Sequence, residues 1–169
     1  MHEIHLTSVL ESRPEIIEPG LIFFSRQHYI RGKRVDLIFH DAKGQLLIVN
    51  VKINKLQLAD VGQICESRYY LREELGVAPR GLLVGTSVSE EIAGAADVAG
   101  CETLAISNAT LDELRTGAAR GIPHVDRRAP TPVRRATATS GIALAIVRSV
   151  LVTRRAECNL AMLTQGGTR

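Results

Sequence analysis

Two charged side chains interrupt otherwise apolar runs in the stretch from Lys33 to Lys55. Val35, Leu37 and Phe39 alternate with Asp36 and Ile38, and a second apolar run, Leu46 to Val51, ends against Lys52. Between them, Asp41-Ala42-Lys43-Gly44 supplies a side chain that bonds its own backbone and a glycine free to take positive φ, so the stretch reads as a β-hairpin. Charges are rarely buried unless they are paired, bound to a metal or turned to solvent. Asp36 and Lys52 therefore need a reason to be where they are.

An acid on one strand, followed across a turn by acid-x-Lys on the next, is the arrangement used by the PD-(D/E)xK nucleases. The chain resembles that superfamily, and more narrowly the catalytic domain of the NucS-type endonucleases. The resemblance runs in order through Leu10-Glu11, Pro19-Gly20-Leu21, Gly32-Lys33-Arg34-Val35-Asp36-Leu37-Ile38, Asp41-Ala42-Lys43-Gly44, Val49-Asn50-Val51-Lys52, Gln63 and Arg80-Gly81-Leu82-Leu83-Val84. It implies an α/β, restriction-endonuclease-like mixed sheet flanked by helices, and a DNA substrate. It also implies Mg²⁺ or Mn²⁺ held by paired carboxylates, which polarises the phosphate and acidifies a bound water while the Lys ammonium steadies the nucleophile or the developing charge. Carried over residue by residue, the catalytic group is Asp36, Asn50, Lys52, Glu11 and Gln63, with Asp36 and Glu11 as metal ligands and Glu66 as a candidate ligand from the helix after the Lys strand, as in some restriction enzymes of the superfamily. Arg31, Lys33, Arg34 and Lys55 are the cations placed to hold a nucleic-acid backbone.

Asn50 departs from this pattern, which expects Glu. Asn keeps a carbonyl oxygen but no charge, so a hard divalent ion would be weakly held. Three readings stay open. The site is inactive and the fold is kept for binding or assembly, it works weakly with Asp36, Glu11 and the Val51 carbonyl, or Glu66 has replaced the missing acid. Glu11 has a second reading too, as the third residue after Ser8 in a helix capping box. Gln63 reads equally as an exposed helical residue, and the cations as a solvated strand entry.

Positioning these residues requires a helix over 7–17, a strand from Leu21 toward Ile30, the hairpin, and a helix from Leu56 to Leu75 stopped by Gly76. Gly81 to Gly85 reads as a strand buried on both faces, Ser89 to Val98 as a helix, Glu102 to Ile106 as a strand, and 110–115 as a helix capped by Thr110. His28 and His40 flank the sheet without partners at ligand spacing and read as structural.

Composition divides the chain at about residue 114. Residues 1–114 hold eleven Lys and Arg against sixteen Asp and Glu, whereas residues 115–169 hold ten Arg against two acids. The first part is expected to be the nuclease-like domain, and the second, with its prolines and paired arginines, a partly disordered extension containing a short apolar element at Ile142 to Val152. The absence of Trp leaves few base-stacking platforms. Three cysteines without CxxC spacing suggest neither a disulfide framework nor a zinc site, and read as buried or idle thiols in a reducing compartment. With no secretory signal and no apolar run long enough to cross a bilayer, a cytoplasmic protein without a membrane partner is expected. NucS-type enzymes carry an N-terminal DNA-binding domain, and this chain starts at the nuclease-like part. Under the resemblance, substrate delivery would need the Arg-rich tail, another subunit, as in a homodimer, or a separate DNA-binding subunit.

Overall fold

Alternation along the central strands sends apolar side chains to both faces of one sheet, and each face recruits its own helices. The computed structural model describes residues 3–116 and 125–130. In chain order the elements are α1 (Glu3–Ser12), a 3-10 turn (Pro14–Ile16), β1 (Ile22–Ile30), β2 (Lys33–His40), β3 (Leu46–Val51), α2 (Leu58–Leu75), β4 (Arg80–Gly85), α3 (Glu90–Val98), β5 (Glu102–Ala105), α4 (Asn108–Thr116) and β6 (Asp126–Arg128). The six strands lie side by side in sequence order. β1, β2 and β3 form an antiparallel meander, β3, β4 and β5 run parallel through the α2 and α3 crossovers, and β6 returns antiparallel on β5. This is the mixed α/β sheet expected from the sequence.

One layer of the core joins Leu37, Phe39, Leu47, Val49, Leu82 and Val84 to Leu6 and Leu10 of α1 and to Leu111 and Leu114 of α4. The opposite layer joins Ile38, Leu46, Ile48 and Leu83 to Val61, Ile64, Leu71 and Leu75 of α2 and to Ile92 and Ala96 of α3. β3 and most of β4 are buried throughout, as a strand covered on both faces must be.

The turns follow their local chemistry. At the β2–β3 reversal Asp41 Oδ1 accepts the N–H groups of Lys43 and Gln45, at 2.9 and 2.8 Å, and Gly44 takes φ 77°. At the β1–β2 reversal Arg31 and Gly32 both have positive φ, 45° and 78°, the signature of a type I′ hairpin turn. Gly76 ends α2 at φ 68°.

Three local expectations are corrected. The first helix lies earlier than predicted, because Pro14 stops it and opens the 3-10 turn instead. Glu11 therefore sits in the last turn of α1 and cannot be its N-terminal capping residue. The last helix is opened by Ser107, whose hydroxyl accepts the Thr110 N–H at 3.1 Å, and not by Thr110 itself. β6 adds a strand where the sequence offered only Asp-Arg-Arg, too short and too polar to carry a strand pattern. The Ile142 to Val152 segment lies outside the described residues, as does most of the Arg-rich extension.

Candidate functional site

The β2–β3 ladder ends at the Leu37–Val49 pair, one residue short of both Asp36 and Asn50, and the Val51 N–H beyond it is donated to the Asp36 side chain. Lys52 follows directly, its N–H donated to the Val84 carbonyl at 2.8 Å. The three residues thus gather at the carboxyl end of β3, where α2 begins and β4 runs parallel. Open α/β sheets place their ligands at such strand ends.

Asp36 is 6% exposed, and both of its oxygens are engaged. Oδ2 accepts the Val51 N–H at 2.9 Å, and Oδ1 lies 3.2 Å from Arg34 Nε. Asn50 is 1% exposed, and neither Oδ1 nor Nδ2 has a hydrogen-bond partner among the described residues. An unpaired buried amide is costly, because desolvation is not offset by a new bond. Lys52 Nζ lies 3.8 Å from Asp60 Oδ1 in the first turn of α2, and Asp60 Oδ2 accepts the Gln57 N–H that opens the helix. Asp60 is the site residue that sequence reasoning missed. Its signal was present as Gln57-x-x-Asp60, the spacing of a helix-start box.

The two other proposed acids are paired with cations other than a metal. Glu11 pairs with Arg26 of β1 at 3.2 Å, and the same Arg26 nitrogen reaches the Ser8 hydroxyl at 3.1 Å. Glu66 pairs with Lys33 at 3.1 Å and accepts the Tyr70 hydroxyl at 3.3 Å. Gln63 is half-buried on α2, its carbonyl accepting the Ser67 hydroxyl, and it makes no described hydrogen bond to Asp36 or Lys52. Among the described residues no group of three or more His, Cys, Asp or Glu could hold a metal ion. Asp36 with the neutral Asn50 oxygen is one charge short of a paired-carboxylate site, and Asn50 Nδ2 would turn a positive edge toward a cation. The residues present do not fit the Mg²⁺ centre that the resemblance implies.

The basic residues divide by exposure. Arg31 lies over the Tyr70 ring at 5.3 Å, Lys33 and Arg34 sit at the β1–β2 turn, and Lys55 is exposed in the loop that follows β3. Gln27 falls opposite Asp36, between the Arg26–Leu37 and His28–Val35 pairs, with φ 49°. The backbone beside the candidate site is thus held in a region that non-glycine residues rarely adopt. Of the two histidines, His40 is buried, with Nδ1 3.4 Å from the Gly44 carbonyl and Phe24 edge-on to its ring.

The family model described as the endonuclease NucS C-terminal domain matches residues 2–119. The chain is 31% identical over 87 residues to endonuclease NucS of Thermococcus kodakarensis, covering 52% of this chain and 34% of that one. It is likewise 31% identical over 88 residues to the enzyme of Pyrococcus abyssi, covering 52% and 35%. Among solved structures, the repair endonuclease from Pyrococcus abyssi superposes with TM-score 0.59 at 27% identity, covering 63% of this chain and 47% of that chain. An EndoMS complex with double-stranded DNA superposes with TM-score 0.57 at 28% identity, covering 60% and 42%. The aligned stretch spans about a third of the length of these curated relatives.

Proposed function

The chain belongs to the endonuclease NucS C-terminal domain family, and from that membership we propose that it is a DNA-directed domain whose phosphodiester hydrolysis is attenuated at Asn50. The observation that carries this reading is the pair at the end of β2 and β3. Asp36 is in place, while the residue beside it is a neutral amide, buried and without a hydrogen bond among the described residues. A similar solved structure, EndoMS in complex with double-stranded DNA, supports DNA as the partner class.

In this reading Arg31, Lys33, Arg34 and Lys55 hold backbone phosphates without reading sequence. Lys52 offers an ammonium to the phosphate that reaches the end of β3, exchanging its long contact with Asp60 for one with the incoming anion. Asp36, held by the Val51 N–H and Arg34, provides the remaining carboxylate. Mg²⁺ or Mn²⁺ is the cofactor class that the resemblance implies, and no step is assigned to it because the donor set is incomplete. A second reading, binding without cleavage, is favoured by the ion pairs that occupy Glu11 and Glu66.

The deciding experiment is Mg²⁺ and Mn²⁺ titration calorimetry on the natural chain and on Asn50→Glu, with cleavage and binding of branched, mismatched and single-stranded DNA measured on both. Gain of metal binding and cleavage in Asn50→Glu, with DNA binding in both proteins, is the expected result. DNA binding by both with cleavage by neither would leave the binding reading. If neither protein binds DNA at low salt, where phosphate contacts are strongest, DNA is the wrong partner.

A further inference from the structure

Cys65 lies on the middle of α2 and Cys101 directly precedes β5, thirty-six residues apart in sequence, yet their sulfurs are 4.0 Å from each other. Both are free thiols. We propose that Cys65 and Cys101 form a peroxide-sensitive thiol pair that closes to a reversible disulfide joining α2 to β5. Cys65 is partly exposed and Cys101 is buried, so an oxidant from solvent meets Cys65 first.

The surroundings suit this division. Arg68 is fixed by the Pro79 carbonyl at 3.0 Å and the Ala99 carbonyl at 2.8 Å, and its Nη1 stands 3.3 Å from Cys101 Sγ. A guanidinium there favours negative charge on sulfur as the thiol gives up its proton. Burial acts in the opposite direction and pushes the Cys101 thiol up to about 11, so Cys101 stays protonated at neutral pH and serves as the slower, resolving partner.

The reaction balances in two steps. The Cys65 sulfur attacks one oxygen of hydrogen peroxide, the O–O bond breaks, and a sulfenic acid and one water result. The Cys101 sulfur then attacks the Cys65 sulfur, so that the S–S bond forms as the S–O bond breaks. The departing hydroxide takes the Cys101 proton as a second water. Two thiols lose two electrons in all, and the peroxide gains them. Reduction by an added dithiol reverses the link.

The test treats the full chain with hydrogen peroxide, maps its tryptic peptides without reduction, and follows thermal unfolding before and after dithiothreitol. The expected result is a peptide linking Cys65 to Cys101, two hydrogens lighter than its parts and lost on reduction. It should form in Cys158→Ser as in the natural chain. The linked form should melt higher, because the bridge constrains the unfolded chain. Recovery of both thiols as free alkylated cysteines after peroxide, or linkage mainly through Cys158, would overturn the proposal.

Discussion

Asn50 shows what a single side chain can cost and what it leaves in place. Its amide is 1% exposed and makes no hydrogen bond among the described residues, although β4 pairs alongside it at Leu83. Leaving a buried polar group unpaired costs about 1–3 kcal/mol. Asn50→Leu, nearly the same shape without the polar atoms, is therefore expected to raise stability by about 1–2 kcal/mol, read from urea unfolding. An unchanged or lowered midpoint would mean that the amide has a partner in solution. The hairpin carrying Asn50 was legible in the sequence because period-two alternation and an Asp-x-x-Gly turn are local signals. The fate of Glu11 and Glu66 was not. Both were acids on the correct helices, but their choice of Arg26 and Lys33 as partners depends on how helix and sheet face one another. No spacing within one element encodes that.

The loop between β3 and α2 packs against the end of β4 where a side chain is absent. A Cβ on Gly85 would lie 2.6 Å from Leu56 Cγ and 3.1 Å from the Asn54 carbonyl, in the loop that follows Lys52. Gly85→Ala is expected to lose about 1–2 kcal/mol, since overpacking outweighs the backbone entropy that alanine saves. The same change should displace Lys52 and Lys55 and weaken DNA binding, measurable by fluorescence anisotropy at low salt. Intact stability together with intact binding would show that the Asn54 to Leu56 loop yields freely. At this scale the run from Gly81 to Gly85 announced a strand covered on both faces, and Gly76 announced the end of α2. β6 was unreadable because three polar residues form a strand only when β5 offers them an edge.

Among the described residues an ion-pair cluster gathers at the start of β4, the opposite end from the Val84 carbonyl that receives the Lys52 N–H. Arg80 bonds Glu18, Asp41 and Glu102, while Arg127 of β6 bonds Glu18, Glu102 and the Ile17 carbonyl. The hydrogen bond from Arg80, followed by that from Arg127, holds the Glu18 carboxyl at about 2 against an ordinary value of 4.5, over the opposing effect of burial. A carboxyl whose pKa falls on folding stabilises fully above its unfolded value and loses that contribution as pH drops through its folded one. The stability gap between the natural chain and Glu18→Gln should thus be constant near pH 7, narrow below about pH 4.5, and close near pH 2, as followed by thermal unfolding. A gap independent of pH would assign the effect to packing. This cluster could not be foreseen, because its members come from five separate places in the chain and converge only once the sheet is complete.

Arg127 lies beyond residue 119, where the family match ends. A chain shortened to that boundary would keep Glu18 and Glu102 while losing one of the two guanidiniums between them, and would also strip β6 from β5. Such a protein would carry crowded acids beside a bare parallel strand with unmatched N–H and C=O groups. That is the kind of edge on which β-proteins stack into aggregates.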